Sequence, residues 1–246
     1  MRRLVIPELL DELPPDDPRA VHSRGDLRRV NKLMGNADII GRALKGSGAF
    51  FAGGALKKAP DPFSPLTIVE LGGGDGTFLL ELAKRAAATV GPAHATLVDQ
   101  QHLLTDATRE ALAALSWHVT AVRADVFDWL SHRGAEVADV TIANLFLHHF
   151  EGQRLATLLR DAASQTRMFA ACEPHRSGAA LAAASLMGVI GCNSVTVHDA
   201  RISVRAGFRD RELSAIWPAG HGWTLEEKKA GRFTHGFVAR QGAPRG

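Results

Sequence analysis

Apolar residues in the first part of the chain recur at helical spacing. Leu27, Val30, Met34, Ala37, Ile40 and Leu44 stand three or four positions apart with basic residues between them, which predicts helix across 14–59. A stripe of this kind cannot be buried alone, so the segment is expected to pack on the rest of the chain as a cover. A proline-rich stretch over 59–65 marks the join. From Leu66 the pattern changes. Short apolar runs at 66–71, 94–99, 118–123, 137–143 and 167–172 alternate with helical segments at 75–89, 100–116, 126–132 and 151–166. This alternation predicts an α/β fold, a doubly wound parallel sheet with helices on both faces and right-handed crossovers. After the fifth strand the rhythm breaks. Residues 176–218 read as an Ala-rich and then mixed insertion, and two strand candidates at 223–229 and 233–240 meet through Ala230-Gly231 as a terminal hairpin. The expected division is a helical cover at 1–62 and an α/β domain at 63–246, with 176–218 placed to act as a lid.

Composition narrows the functional classes. The chain has 246 residues, 29 basic and 26 acidic, with a formal charge of +3. It has no run of five Lys or Arg, so a nucleic-acid partner is not expected. The most apolar stretch, 179–190, is about half the roughly 20 residues that a membrane span needs. Pro7, Asp11 and Glu12 interrupt the first residues before a secretory apolar run can form. Cys172 and Cys192 offer neither metal spacing nor a disulfide framework, which fits a reducing, cytoplasmic compartment.

The strongest local signal is Thr67-Ile-Val-Glu-Leu-Gly-Gly-Gly-Asp-Gly-Thr-Phe78, a buried strand that runs into a glycine-rich turn opening a helix. Without a Cβ, such a turn lets a ligand approach the backbone closely. The spacing excludes two common uses. A dinucleotide fingerprint needs Gly or Ala where Thr77 stands, and a phosphate-cradling loop needs a terminal Gly-Lys-Ser/Thr, whereas the first lysine here is Lys84. A carboxylate at Glu70 suits a cationic ligand and would repel a pyrophosphate.

Glu70-Leu-Gly72-Gly-Gly74-Asp-Gly76 resembles the first motif of the class I S-adenosylmethionine-dependent methyltransferases, an acidic residue followed by three glycines at alternate positions. The resemblance covers 66–175 and implies a Rossmann-like, mostly parallel seven-stranded sheet with an antiparallel last strand. It also implies that S-adenosylmethionine is the cofactor and that the glycine loop surrounds its methionine portion. Asp99, which closes the second strand run, stands where a carboxylate can accept hydrogen bonds from ribose hydroxyls, with Gln100 beside it; a helix cap is the plainer reading of such an Asp. Asp125 and Val126 resemble the adenine-contacting segment of the family, the first facing the exocyclic amine and the second the ring.

Ligands of open α/β sheets bind beyond the carboxyl ends of the strands. That places Asn144, His148 and His149, after the fourth strand, beside the cofactor. A neutral imidazole can take the proton of a hydroxyl that attacks a methyl carbon. Neighbouring side chains point in different directions, so one histidine is expected to reach the acceptor, with His149 preferred and His148 the alternative. Asn144-Leu-Phe-Leu departs from the Asn/Asp-Pro-Pro-aromatic pattern of nucleobase amino methylation. Asn144 and Glu173 alone do not make an oxygen-ligand set, and no metal is assigned. In the insertion, Asn193, His198, Asp199 and Arg205 punctuate apolar sequence in a way that suits either an acceptor pocket or capped amphipathic helices; Asn193, His198 and Arg205 are taken as acceptor contacts. The insertion, with 29–36, is similar to bacterial small-molecule methyltransferases found beside type III polyketide synthases. That implies a small-molecule acceptor with a phenolic or polyketide-type hydroxyl. The alternatives are C- or N-methylation of a small molecule, or a non-catalytic partner subunit that keeps the cofactor loop.

Overall fold

The structure, a computed structural model, describes residues 1–46, 64–134, 136–220 and 222–242. The expected 62/63 division and most of the proline-rich stretch lie outside the described residues, as does the predicted helix beyond Gly46. The chain begins with an extended strap that ends in a single turn, α1 (Leu9–Glu12), followed by α2 (Pro18–Met34) and α3 (Asn36–Gly46). Asp17 opens α2 by accepting from the Arg19 N–H, with Pro18 in the first turn. Gly35 closes it at φ 68° and returns its N–H to the carbonyls of Asn31 and Lys32. This break splits the predicted stripe in two. Ala37, Ile40 and Leu44 enter the core, whereas Leu27, Val30 and Met34 line a cavity.

The body alternates as expected: β1 (Leu66–Leu71), α4 (Thr77–Val90), β2 (Ala93–Asp99), α5 (Asp106–Ala113), β3 (Trp117–Arg123), α6 (Val126–His132), β4 (Ala138–Asn144), α7 (Gly152–Ser164) and β5 (Thr166–Pro174). The insertion is helical, with α8 (Gly178–Ser185), α9 (Ser194–Ala206) and α10 (Glu212–Ile216), and the chain closes with β6 (Trp223–Ala230) and β7 (Thr234–Gln241). The seven strands lie in the order β3-β2-β1-β4-β5-β7-β6. Strands β1 to β5 pair in parallel, and β7 runs antiparallel to both β5 and β6. The sheet is Rossmann-like and doubly wound.

Period-two alternation assigns each strand residue to a face. Ile68, Val140, Met168 and Ala170 pack with Leu79, Leu82, Ile40 and Leu44 on the side of α3 and α4. On the other side, Val69, Phe169 and Phe237 pack with Leu155, Leu158 and Leu159 of α7 and with Trp217. Burial of one such large side chain contributes roughly 1.5–3 kcal/mol, so these two layers fix the strand ends in space. The helix expected over 100–116 is shorter because Thr105, not Asp99, supplies its cap by accepting from the Thr108 N–H. Among the described residues, no helix is long and apolar enough to cross a membrane.

Candidate functional site

A cavity of about 580 Å³ opens at the carboxyl ends of β1, β2, β4 and β5 and is closed from above by the strap, α2, α8 and α9. Its floor is the glycine loop. Gly72, Gly74 and Gly76 have φ of 68°, 54° and 73°, a region that side chains disfavour. They serve different ends. A Cβ on Gly72 would lie 2.2 Å from the Phe146 ring, and one on Gly76 would lie 2.9 Å from Leu104, so these two permit close packing. A Cβ on Gly74 would meet nothing within 4 Å; Gly74 lines the cavity, whereas Gly76 does not.

Three carboxylates gather around this loop. Glu70 lines the cavity at 2% exposure, and its Oε2 has no hydrogen-bond partner among the described residues. Burial, reinforced by the charges of Asp75 and Asp99, pushes its carboxyl well above the usual range. Asp99, at the end of β2, accepts from the N–H groups of Gly74 (2.9 Å) and Gln101 (2.8 Å). Asp75 pairs with Arg28 at 3.1 Å. Gln100 lines the cavity and donates through Nε2 to Asp125 at 3.1 Å. Asp125 itself does not line the cavity; its carboxylate caps α6 by accepting from Phe127 N–H at 2.8 Å. Val126 does line it, as does Asn144, which is held by two hydrogen bonds: Asn36 donates to its Oδ1 at 2.8 Å, and its Nδ2 donates to Asn31 at 3.1 Å.

The turn after β4 brings the two histidines to the wall. Leu145 takes φ 52°, unusual for a branched residue, and the next residues form a short 3₁₀ turn, Leu147–His149. Glu173, fully buried at the end of β5, organises the turn by accepting from the N–H groups of Phe146 and Leu147 at 3.0 and 2.8 Å. The two imidazoles then differ. His148 is buried, with Nδ1 2.7 Å from Glu173 and Nε2 3.2 Å from Glu8. Burial opposes its charged form, but the hydrogen bonds and charges of Glu173 and Glu8 outweigh that and hold its pKa up at about 10. Glu8 is correspondingly held down at about 2: burial disfavours its charge, but hydrogen bonding to His148 and the charges of His148 and His149 prevail. His148 is therefore a charged brace, which removes it as a neutral base. His149 is one-quarter exposed, lines the cavity and sets Nδ1 3.3 Å from Asp11.

Glu8 and Asp11 come from the strap, which sequence reading left without a role. The strap is pinned by Arg3, whose Nε donates to Ala206 O at 2.7 Å and Nη2 to Phe150 O at 2.8 Å, with its guanidinium 4.4 Å from the centre of the Phe208 ring. Asp199 caps α1 by accepting from the N–H groups of Leu9 and Leu10 at 2.9 and 3.0 Å. The three expected acceptor contacts are placed elsewhere. Asn193 caps α9 and donates to Arg19 O, His198 is half exposed beside Asp199, and Arg205 lies outside the cavity lining, its carbonyl accepting from Leu4 N–H. Side chains one position apart on a helix diverge by about 100°, so Asp199 faces the cavity where His198 does not.

The residues that build this cradle, 68–168, match the family model of a methyltransferase domain. Over that segment the chain is similar to methyltransferase domains. Its fold is similar to that of the plantazolicin methyltransferase BpumL in complex with S-adenosylhomocysteine, with a TM-score of 0.56 and 13% identity over 92% of this chain and 91% of that one. It is also similar to an O-methyltransferase family protein from Burkholderia thailandensis, with a TM-score of 0.49 and 16% identity over 85% of this chain. This chain spans 59% of that protein's length. A third similar structure is the magnesium protoporphyrin IX methyltransferase of Synechocystis with bound S-adenosylmethionine, with a TM-score of 0.49 and 11% identity over 95% of this chain and 88% of that one. No curated protein matches the chain in sequence. The cradle fits S-adenosylmethionine, the cofactor that the glycine-loop resemblance implies: the buried Oε2 of Glu70, without a hydrogen-bond partner among the described residues, faces the same cavity as the open backbone of Gly74.

Proposed function

We propose that the chain methylates a hydroxyl of a small, largely apolar acceptor of phenolic or polyketide type, with His149 as the general base. The observation that carries this reading is the His149–Asp11 pair on the cavity wall at 3.3 Å. If Nδ1 carries its proton toward Asp11, Nε2 is left with a lone pair for an acceptor hydroxyl. Glu70 would hold the cofactor's ammonium, Asp99 the ribose hydroxyls, and Val126 with Gln100 the adenine end; Asp125 supports that end through its hydrogen bond from Gln100. Bound S-adenosylmethionine supplies a methyl group on a sulfonium, which is already a good leaving group, so most of what the protein adds is alignment.

The acceptor side of the cavity supports an apolar partner. Leu27, Val30 and Met34 of α2 line it together with Ala183, Ala184 and Met187, and a wall of this kind recognises carbon skeletons better than charged groups. The strap, α2 and α8 to α9 would exclude water from the reacting oxygen. The similarity of the insertion to enzymes found beside type III polyketide synthases, together with two free cysteines, supports a place in cytoplasmic secondary metabolism.

The test pairs calorimetry with turnover. Purified protein is expected to bind S-adenosylmethionine and S-adenosylhomocysteine but not NAD, and to methylate members of a panel of phenols and pyrones. His149→Gln should keep cofactor affinity and lose about two orders of magnitude in turnover. Full activity in that variant would remove the base, and failure to bind either sulfur compound would remove the cofactor.

A further inference from the structure

We propose that Glu8, His148 and His149 form a binding site for a zinc-class divalent cation on the wall of the cavity. Each offers a ligand atom, and these atoms lie within 4.8 Å of one another. The inference stands on this geometry and does not depend on the acceptor or on methyl transfer.

The separations suit such an ion. Zinc binds imidazole nitrogen and carboxylate oxygen at about 2.0–2.2 Å in a tetrahedral array, so two ligand atoms on one ion stand about 3.3 Å apart. His148 Nε2 and Glu8 Oε1 are already 3.2 Å apart. His149 has to close by about 1.5 Å at most to join them. The closure is a modest one because its present partner, Asp11, is 60% exposed and can follow or release it.

The second observation is the support behind His148. A ligating histidine commonly donates its other ring N–H to a carboxylate, which fixes the ring and the tautomer. Here Nδ1 lies 2.7 Å from Glu173, and Glu173 is itself fixed by the N–H groups of Phe146 and Leu147. Nε2 is thereby aimed at Glu8 and the cavity. In the metal-free protein a proton on Nε2 occupies the place between His148 and Glu8. Binding the cation would release that proton to solvent and form one Nε2–metal bond while Nδ1–H stays with Glu173; the dication raises the local charge by one and so offsets the two carboxylates, Glu8 and Glu173.

The donor set selects the metal. Two imidazoles and one carboxylate suit zinc, whereas magnesium and calcium require oxygen ligands. Three protein ligands leave a coordination position open toward the cavity, the pattern of a reactive site rather than a closed structural one. All three residues line the cavity, so an ion has a path in.

Chelator-treated full-length protein is titrated with zinc chloride by calorimetry and with cobalt chloride in the visible range. One equivalent of each metal is expected, with cobalt giving the strong visible bands of a four- or five-coordinate site. Glu8→Gln and His149→Gln should each weaken binding by more than the 10–100-fold typical of losing an outer-shell partner, with melting curves showing that both variants fold. His198→Ala, which removes a half-exposed imidazole outside the cavity, should retain the full equivalent. No uptake, uptake that survives both ligand variants, or uptake lost in His198→Ala would each overturn the proposal. The same preparations titrated with S-adenosylmethionine report separately on the cofactor site.

Discussion

The glycine loop allows a paired substitution that separates packing from ligand binding. In Gly72→Ala the new Cβ lies 2.2 Å from Phe146 Cδ2, at φ 68°. The left-handed backbone costs about 1–2 kcal/mol for a residue with a Cβ, and forcing the contact adds about 1–3 kcal/mol. The sum is about 2–5 kcal/mol. At roughly 2–4 °C per kcal/mol for a chain of this size, the melting temperature should fall by roughly 4–20 °C. Phe146 lies 5.1 Å from Phe150 and 6.4 Å from His149, ring centre to ring centre, so its displacement should also disturb the base. Gly74→Ala is different. It carries a similar backbone cost at φ 54° but meets nothing within 4 Å, so it should melt only a few degrees early. Its Cβ would stand on the cavity floor, beside the N–H that donates to Asp99. The affinity for S-adenosylmethionine should therefore fall about tenfold or more, or about 1.4 kcal/mol. Differential scanning calorimetry and titration calorimetry read the two effects independently. A Gly74→Ala protein with wild-type affinity would refute the backbone cradle, and a Gly72→Ala protein with a wild-type melting temperature would refute the packing argument.

Three further outcomes follow from the charges. The pKa of His148 is raised from 6.5 to about 10 in the fold, so its contribution to stability is complete below about pH 6.5 and is lost as pH rises through about 10. Glu8 is lowered from 4.5 to about 2, so its contribution is present above pH 4.5 and fades toward pH 2. Melting temperature against pH in metal-free protein should show both limbs, and His148→Gln should flatten the alkaline one; an unchanged alkaline limb would contradict the brace. Asp199→Ala removes two hydrogen bonds to a charged acceptor, from Leu9 and Leu10, each worth about 1.5–3 kcal/mol. Limited proteolysis should then cut within residues 1–12 faster than in wild type, and equal rates would show that the strap is held without it. Finally, Glu70 is shifted upward by burial and by Asp75 and Asp99, so its contribution to the stability of the ligand-free fold is present below pH 4.5 and declines as pH rises. An ammonium placed against it should draw off its proton. Calorimetry of S-adenosylmethionine binding in buffers of different ionisation enthalpy should show proton release that Glu70→Gln abolishes, and identical release in both proteins would exclude Glu70.

Much of the fold was readable because the body obeys local rules. The predicted strand over 66–71 and the predicted helix over 126–132 match Leu66–Leu71 and Val126–His132, one bounded by the glycine loop and the other by the Asp125 cap. The helical stripe of the cover misled in one respect: its spacing runs smoothly through Gly35, yet the left-handed turn there divides it between cavity wall and core. Cavity residues at the carboxyl end of a strand or just beyond it, such as Glu70, Asp99, Asn144 and His149, could be placed by topology. Glu8, Asp11 and Asp199 could not. Glu8 reaches His148 across 140 positions, and no periodicity in a strap of this kind encodes such a contact. Within α9 the sequence reading took His198 and passed over its neighbour Asp199, and it is the rotation of the helix that turns Asp199 to the cavity instead.

The same long-range contacts explain how the two ends of the cavity differ. At the cofactor end, Glu70, Asp75 and Asp99 crowd around an open backbone; burial and the charges of Asp75 and Asp99 push Glu70 toward its protonated form, and among the described residues Asp75 pairs with Arg28. That arrangement is unfavourable until a cation arrives. At the other end a positive His148 lies between Glu8 and Glu173, so both carboxylates share one cationic neighbour and a single negative charge is left over. Through Glu8 this group ties the strap to the body. His149 stands between these regimes, its Nδ1 set beside the exposed Asp11. Of the two adjacent imidazoles it is the more exposed and is not clamped between two buried carboxylates, which is why both the base and the cation site depend on it.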